Sequence, residues 1–176
     1  IISSSEIWQL FQTEEVSLSA EYFSGGAAGG LDASLVVQAR GVRRHTKEAL
    51  EDYIFGESES LTTKNADRFD AVLPENGIWN YAFFTDYITE KNALYEVSIR
   101  GTVFDVGGRA NSKTITVPLD TSPSYIGILP NFEGFIQEGR IPSFNVINVN
   151  RAGDNVTLEG AIYKVNKIYY DYNWYY

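Results

Sequence analysis

Hydrophobic and polar residues alternate along most of this chain. In VSLSAEYF, Val16, Leu18, Ala20 and Tyr22 share one side, and Ser17, Ser19 and Glu21 share the other. That period of two is expected of a strand with one buried face. SLVVQAR repeats it with Leu35, Val37 and Ala39. LYEVSIRGTV does so with Tyr95, Val97, Ile99 and Val103, and KTITVPL with Ile115, Val117 and Leu119. Further strands are predicted at 66–73, 78–84, 124–129, 143–149 and 156–165. In the last, the apolar phase slips near Glu159–Gly160, which predicts a bulge. One stretch, TKEALEDYIFG, carries Ala49, Leu50 and Tyr53 at helical spacing behind Thr46, a possible cap; it predicts a short helix.

Turn-forming residues separate these runs. SGGAAGG (24–30), LPENG (73–77) and DVGGRAN (105–111) each read as hairpin loops. SGGAAGG is not followed by Lys-Ser/Thr or by a helix, so a phosphate-binding loop is set aside. NRAGDN (150–155) reads as a further hairpin turn, with Gly153 supplying the unusual backbone angle. About ten strands and at most one or two helices make an all-β architecture, an antiparallel sandwich. DTSPSY (120–125) is the best candidate boundary. A full sandwich is expected over residues 1–119, and residues 124–176 supply only part of a second.

Composition narrows the function. The net charge of −9 and pI near 4.6 argue against nucleic acid, which requires a basic face, and equally against an anionic membrane surface. No apolar run reaches the length of a membrane-spanning helix. The chain has no cysteine, so disulfides, thiolate nucleophiles and cysteine-based metal sites are excluded. It also has no methionine, which leads us to expect a piece of a longer protein.

Candidate chemistry is sparse. His45 is the only histidine, set among Arg43, Arg44 and Lys47. No nucleophile or acid marks a catalytic triad around it, and it reads as a surface residue on a polar, salt-bridged loop. The 23 carboxylates leave a glycosidase conceivable, but no calcium-loop spacing occurs. NVT (155–157) fits a glycosylation sequon. No catalytic, cofactor-binding or metal-binding residue is assigned. The 12 tyrosines and three tryptophans raise a carbohydrate-binding or adhesin-type sandwich, in which exposed rings stack on sugars. The competing reading is that aromatic residues favour strands and cover apolar rims. In the terminal YYDYNWYY, Tyr170, Tyr172 and Trp174 share one parity, as in a strand with one face on a core or an interface.

Several segments resemble one family. YFSGGAAGGL (22–31) is similar to the Tyr-Leu-Tyr-Gly-Ala-Pro-Ala-Ala-Gly-Leu type segment of bacterial alpha-2-macroglobulins, matching at Tyr22, Gly25, Ala28, Gly30 and Leu31; Ala27 replaces the family's proline. DYIFG (52–56) resembles the Tyr-x-Phe-Gly element that follows, and DVGGRA (105–110) the Gly-Gly-Arg turn before the last strand of that domain. YIGILPNFEGFIQEG (125–139) looks like the start of the next macroglobulin-like domain, continued by Phe144, Val146, Ile147 and Gly153. DYNWYY resembles an Asp-Tyr-Gln-Trp-Tyr element, with Asn173 in place of Gln. The resemblance implies that the two parts are the fifth macroglobulin-like domain and the start of the sixth.

The resemblance implies a non-enzymatic scaffold fragment of a protease-trapping inhibitor. Endopeptidase inhibition would reside in the full-length protein. Its neighbouring macroglobulin-like domains and target proteases are the implied partners, with neither nucleic acid nor membrane insertion by this segment. The implied location is the periplasm or cell envelope, in a parent that can carry a lipid anchor. Without cysteine there is no Cys-Gly-Glu-Gln thioester here, and no cofactor is implied. Contacts between domains are expected at Tyr125, Tyr170, Tyr172 and Trp174. The terminal aromatic run is expected to be an interior strand of a domain that continues.

Overall fold

Three strands of 11 residues form the backbone of the molecule: β4 (Asp32–Val42), β8 (Leu94–Phe104) and β9 (Ala110–Asp120). The computed structural model describes residues 1–56, 67–86 and 93–165. The remaining strands are β1 (Ile2–Ser3), β2 (Trp8–Gln9), β3 (Thr13–Ser19), β5 (Ile54–Phe55), β6 (Asp67–Val72), β7 (Ile78–Phe84), β10 (Tyr125–Pro130) and β11 (Phe144–Val149).

They assemble into a five-stranded sheet, β2-β9-β8-β4-β6, and two three-stranded sheets, β1-β3-β7 and β11-β10-β5. Pairing is antiparallel except where two residues of β2 run parallel to the end of β9. The first two sheets form the expected sandwich. Leu35, Val37 and Ala39 of β4 and Val97 and Ile99 of β8 face Val16 and Leu18 of β3 and Phe83 of β7 in one core. Burying each large apolar side chain contributes about 1.5–3 kcal/mol. Gly101 occupies an inward position of β8 because the opposite sheet comes close. A Cβ there would lie 2.7 Å from Leu18 Cδ1.

Some expectations fail for identifiable reasons. SGGAAGG and LPENG do not close hairpins: the first carries the chain from β3 to β4 and the second from β6 to β7, each crossing between sheets. The two loops bind each other instead. Gly30 N–H donates to Leu73 O (2.8 Å) and Ala20 N–H to Gly77 O (3.0 Å). Gly29 lies so close that a Cβ would sit 2.7 Å from the backbone of Glu75. The strand predicted through Tyr22, β3, ends at Ser19, leaving Tyr22 46% exposed. DVGGRAN is a true hairpin, with Asp105 Oδ1 accepting from the amides of Gly107 and Arg109.

The predicted helix is a single 3-10 turn, Glu48–Leu50. Lys47 enters it in extended conformation and no side chain caps it; Thr46 therefore does not act as the cap. Among the described residues, Leu50 and Tyr53 alone of this stretch before Ile54 pack on the second cluster, too few to support further turns. The strand and bulge predicted over 156–165 are also missing. A bridge between Val149 and Asn155 opens that segment, but beyond it no ladder forms among the described residues and Gly160 takes φ +66°.

Candidate functional site

The small sheet draws strands from both sides of the expected boundary. Phe55 of β5 pairs with Gly127 of β10, and Ile54 with Ile128. β10 in turn pairs with β11 along its whole length, from Tyr125↔Val149 to Pro130↔Phe144. The glycine at 127 makes room for the Phe55 ring, since a Cβ would lie 2.7 Å from two of its carbons. Phe55, Leu94, Tyr125 and Val149 form a second core, flanked by Val42, Leu50, Tyr53 and Ile147. That core brings together residues from both sides of the expected boundary.

Tyr125, predicted as a contact between domains, lies at its centre and is 1% exposed. Its hydroxyl accepts hydrogen bonds from the amides of Thr121 (2.7 Å) and Ser122 (3.0 Å) and donates to Asp120 Oδ1 (2.8 Å). Thr121 Oγ1 donates to Ala93 O at 3.0 Å. Burial pushes the Tyr125 phenol up; the Thr121 hydrogen bonds pull it down and Asp120 pushes it further up. The turn from β9 into β10 is thus folded around one phenol. Tyr170, Tyr172 and Trp174 lie outside the described residues.

His45 contradicts the surface reading. It is 5% exposed, and its Nε2–H donates to Arg151 O (3.1 Å) while Nδ1 accepts from the amide of Lys47 (3.0 Å). Its ring lies 5.8 Å from that of Phe55. Lys47 Nζ donates to Gly153 O (3.0 Å) and lies 3.7 Å from Asp154 Oδ1. Arg151 is also buried. One terminal nitrogen donates to Tyr95 O (3.2 Å), whereas Nε and Nη1 have no hydrogen-bond partner among the described residues. Burial lowers the Arg151 pKa, opposed by Tyr125, Glu96 and Asp120.

The sequence held a partial signal for this arrangement. NRAGDN marks the turn correctly, and Gly153 takes φ +81°. Nothing local could reveal that the turn meets a segment 106 residues earlier.

Other chemistry finds little support. Among the described residues no cluster of three or more His, Asp or Glu could hold a metal, and no helix is long and apolar enough to cross a membrane. A cavity of about 350 Å³ between β3 and β8 is lined by Leu18, Ala20, Leu31 and Val103, with Glu21 and Asp105. Trp8 is wholly buried and Trp79 packs against the main core. Trp8 lies against Phe83, and Trp79 against Tyr81. Trp8 is therefore closed to a sugar ring, and Trp79 is only partly buried.

The antiparallel sheets packed as a sandwich are the architecture of a macroglobulin-like β-domain. The chain belongs to the bacterial alpha-2-macroglobulin MG5 domain family, whose model matches residues 3–120; the model of bacterial macroglobulin domain 6 matches residues 127–176. Among solved structures, native Escherichia coli alpha-2-macroglobulin is similar over 86% of this chain (TM-score 0.69, 17% identity). Salmonella alpha-2-macroglobulin reacted with methylamine is similar over 88% (TM-score 0.69, 17% identity). The E. coli protein activated by porcine elastase is similar over 86% (TM-score 0.69, 21% identity). The chain spans 10%, 11% and 14% of those chains, respectively. No curated protein matches the sequence significantly.

Proposed function

We propose that this chain is a scaffold segment of a bacterial alpha-2-macroglobulin that traps proteases, and is not itself an enzyme. Residues 1–119 form one macroglobulin-like unit and residues 124–176 belong to the next. Tyr125 is the contact between them. The parent works in the periplasm or cell envelope, where its partners are its own neighbouring domains and the proteases it meets. One observation carries the reading: the second core buries Phe55 and Leu94 from one unit with Tyr125 and Val149 from the other. Such a joint moves two units as one body, because packed cores shift between discrete arrangements and do not deform continuously. Support for proteases as the trigger comes from relatives described as trypsin-activated and elastase-activated.

The test compares the isolated chain with its intact parent. The isolated chain should neither hydrolyse peptides or glycosides nor retain trypsin on a native gel. The intact parent should retain trypsin, and Phe55→Ala at the joint should lower the retained fraction. Hydrolysis or retention by the isolated chain would overturn the proposal, as would a parent that retains no protease.

A further inference from the structure

His45 is the only histidine in the chain, and both of its ring nitrogens have fixed roles. A carbonyl can only accept, so Nε2 must carry the proton toward Arg151 O; the Lys47 amide can only donate, so Nδ1 must be bare. The neutral ring is therefore the form that closes the contact. Around it, Lys47 Nζ reaches Gly153 O, and Gly153 leaves no space. A Cβ there would lie 2.6 Å from Lys47 Cδ and 3.2 Å from His45 Cε1.

We propose that His45, Lys47 and the turn Asn150–Asp154 form an acid-sensitive latch, which closes the two parts of the chain at neutral pH and loosens as His45 takes up a proton.

A proton on Nδ1 would point at the Lys47 N–H, turning an acceptor into a second donor. It would also place a cation beside Arg151, a buried guanidinium that already lacks partners for Nε and Nη1 among the described residues. The charged groups around the ring do little to offset this. On its own segment, Lys47 is a cation, and Arg44 is exposed and turned to Glu51 O. From the turn come Arg151 and the carboxylate of Asp154, the latter 3.7 Å from Lys47 Nζ. β5 contributes the uncharged Phe55. Glu96 and Asp120 act on Arg151, but neither hydrogen-bonds His45 among the described residues. Burial lowers the His45 pKa, and the charges of Arg151 and Lys47 lower it further, against the hydrogen bonds to the backbone of Arg151 and Asn150.

The sign follows from linkage. The folded pKa lies below the unfolded value, so the unfolded chain binds the proton more readily. The latch contribution is fully present above the unfolded pKa near 6.5. It is lost as the pH falls from there through the lowered folded pKa. This device does not depend on what the parent protein traps.

The experiment is an NMR pH titration of the 176-residue chain from about pH 8 to about pH 4.5. It follows the Cε1 proton of the single histidine and the amides of Lys47 and of residues 151–154. The expected result is one shared midpoint below 6.5 for the ring and those amides. The variant His45→Gln, which keeps an amide donor and acceptor but cannot titrate, should lose that transition. Between neutral pH and about pH 5, the wild-type Tm should fall by roughly 3 °C more than the Tm of the variant. A ring midpoint at the ordinary histidine value, or turn amides that do not follow the ring, would overturn the latch. So would an unchanged amide transition in His45→Gln. If that variant does not fold, the wild-type titration alone decides between these outcomes.

Discussion

Leu94 and Tyr95 are adjacent at the start of β8 and both are wholly buried, one in each core. Successive side chains in a strand point to opposite faces, so one stretch of β8 forms a wall of both cores. Leu94→Ala should therefore cost about 2–5 kcal/mol and damage mainly the joint. Hydrogen exchange should show lost protection at residues 125–130 and 144–149, with the β4–β8 ladder largely retained. Equal loss in both would mean the cores are not separable.

Tyr125→Phe keeps the ring and removes the hydroxyl. The amides of Thr121 and Ser122 then lose their acceptor and Asp120 its donor. Leaving such groups unsatisfied costs about 1–3 kcal/mol, to be read as a lower urea midpoint at constant slope. A midpoint unchanged from wild type would show that water replaces the phenol without loss.

Three glycine-to-alanine changes should rank by what the new methyl meets. At Gly101 the obstacles are the flexible ends of Leu18 and Ile1, at Gly127 the rigid Phe55 ring, and at Gly29 the backbone of Glu75. Overpacking costs typically about 1–3 kcal/mol. Gly101→Ala should fall at or below that range, Gly127→Ala within it and Gly29→Ala at its top or beyond. Thermal unfolding of the three proteins checks the order.

Gly127→Ala and Phe55→Leu should compensate, because the smaller side chain frees the space the methyl needs. The double variant should be more stable than the sum of the single effects implies, by about 0.5–3 kcal/mol of coupling. Strict additivity would place Phe55 away from Gly127 in solution.

What could be read from the sequence was what repeats locally. β4 and β8 were legible because Leu35, Val37, Ala39, Val97 and Ile99 repeat the two-residue period over a full strand. β5 was not, because two residues carry no period and its partner, β10, is remote in sequence. The loops misled for a related reason: glycine marks where the chain turns, not which strand it turns toward, and here 24–30 and 73–77 cross between sheets. His45 looked like a surface residue because its neighbours Arg43, Arg44 and Lys47 are cationic. The distant turn at Arg151 and the ring of Phe55 cover it. The predicted helix failed where Lys47 entered extended. Of the four residues predicted at the contact, the structure places Tyr125 in the second core; the other three lie outside the described residues.

The pairing of Phe55 with Gly127 also sets a timetable for synthesis. The strand that covers Phe55 is made about 70 residues after it, and at about 5–20 residues per second this leaves several seconds. During that interval the emerging chain holds a short strand edge and an aromatic ring without their final cover. A pause in translation before residue 125 would lengthen that exposure, and a chaperone that binds apolar segments would find its target around Ile54 and Phe55. Release of the nascent chain from such a chaperone should therefore coincide with emergence of β10, not with completion of the first sandwich.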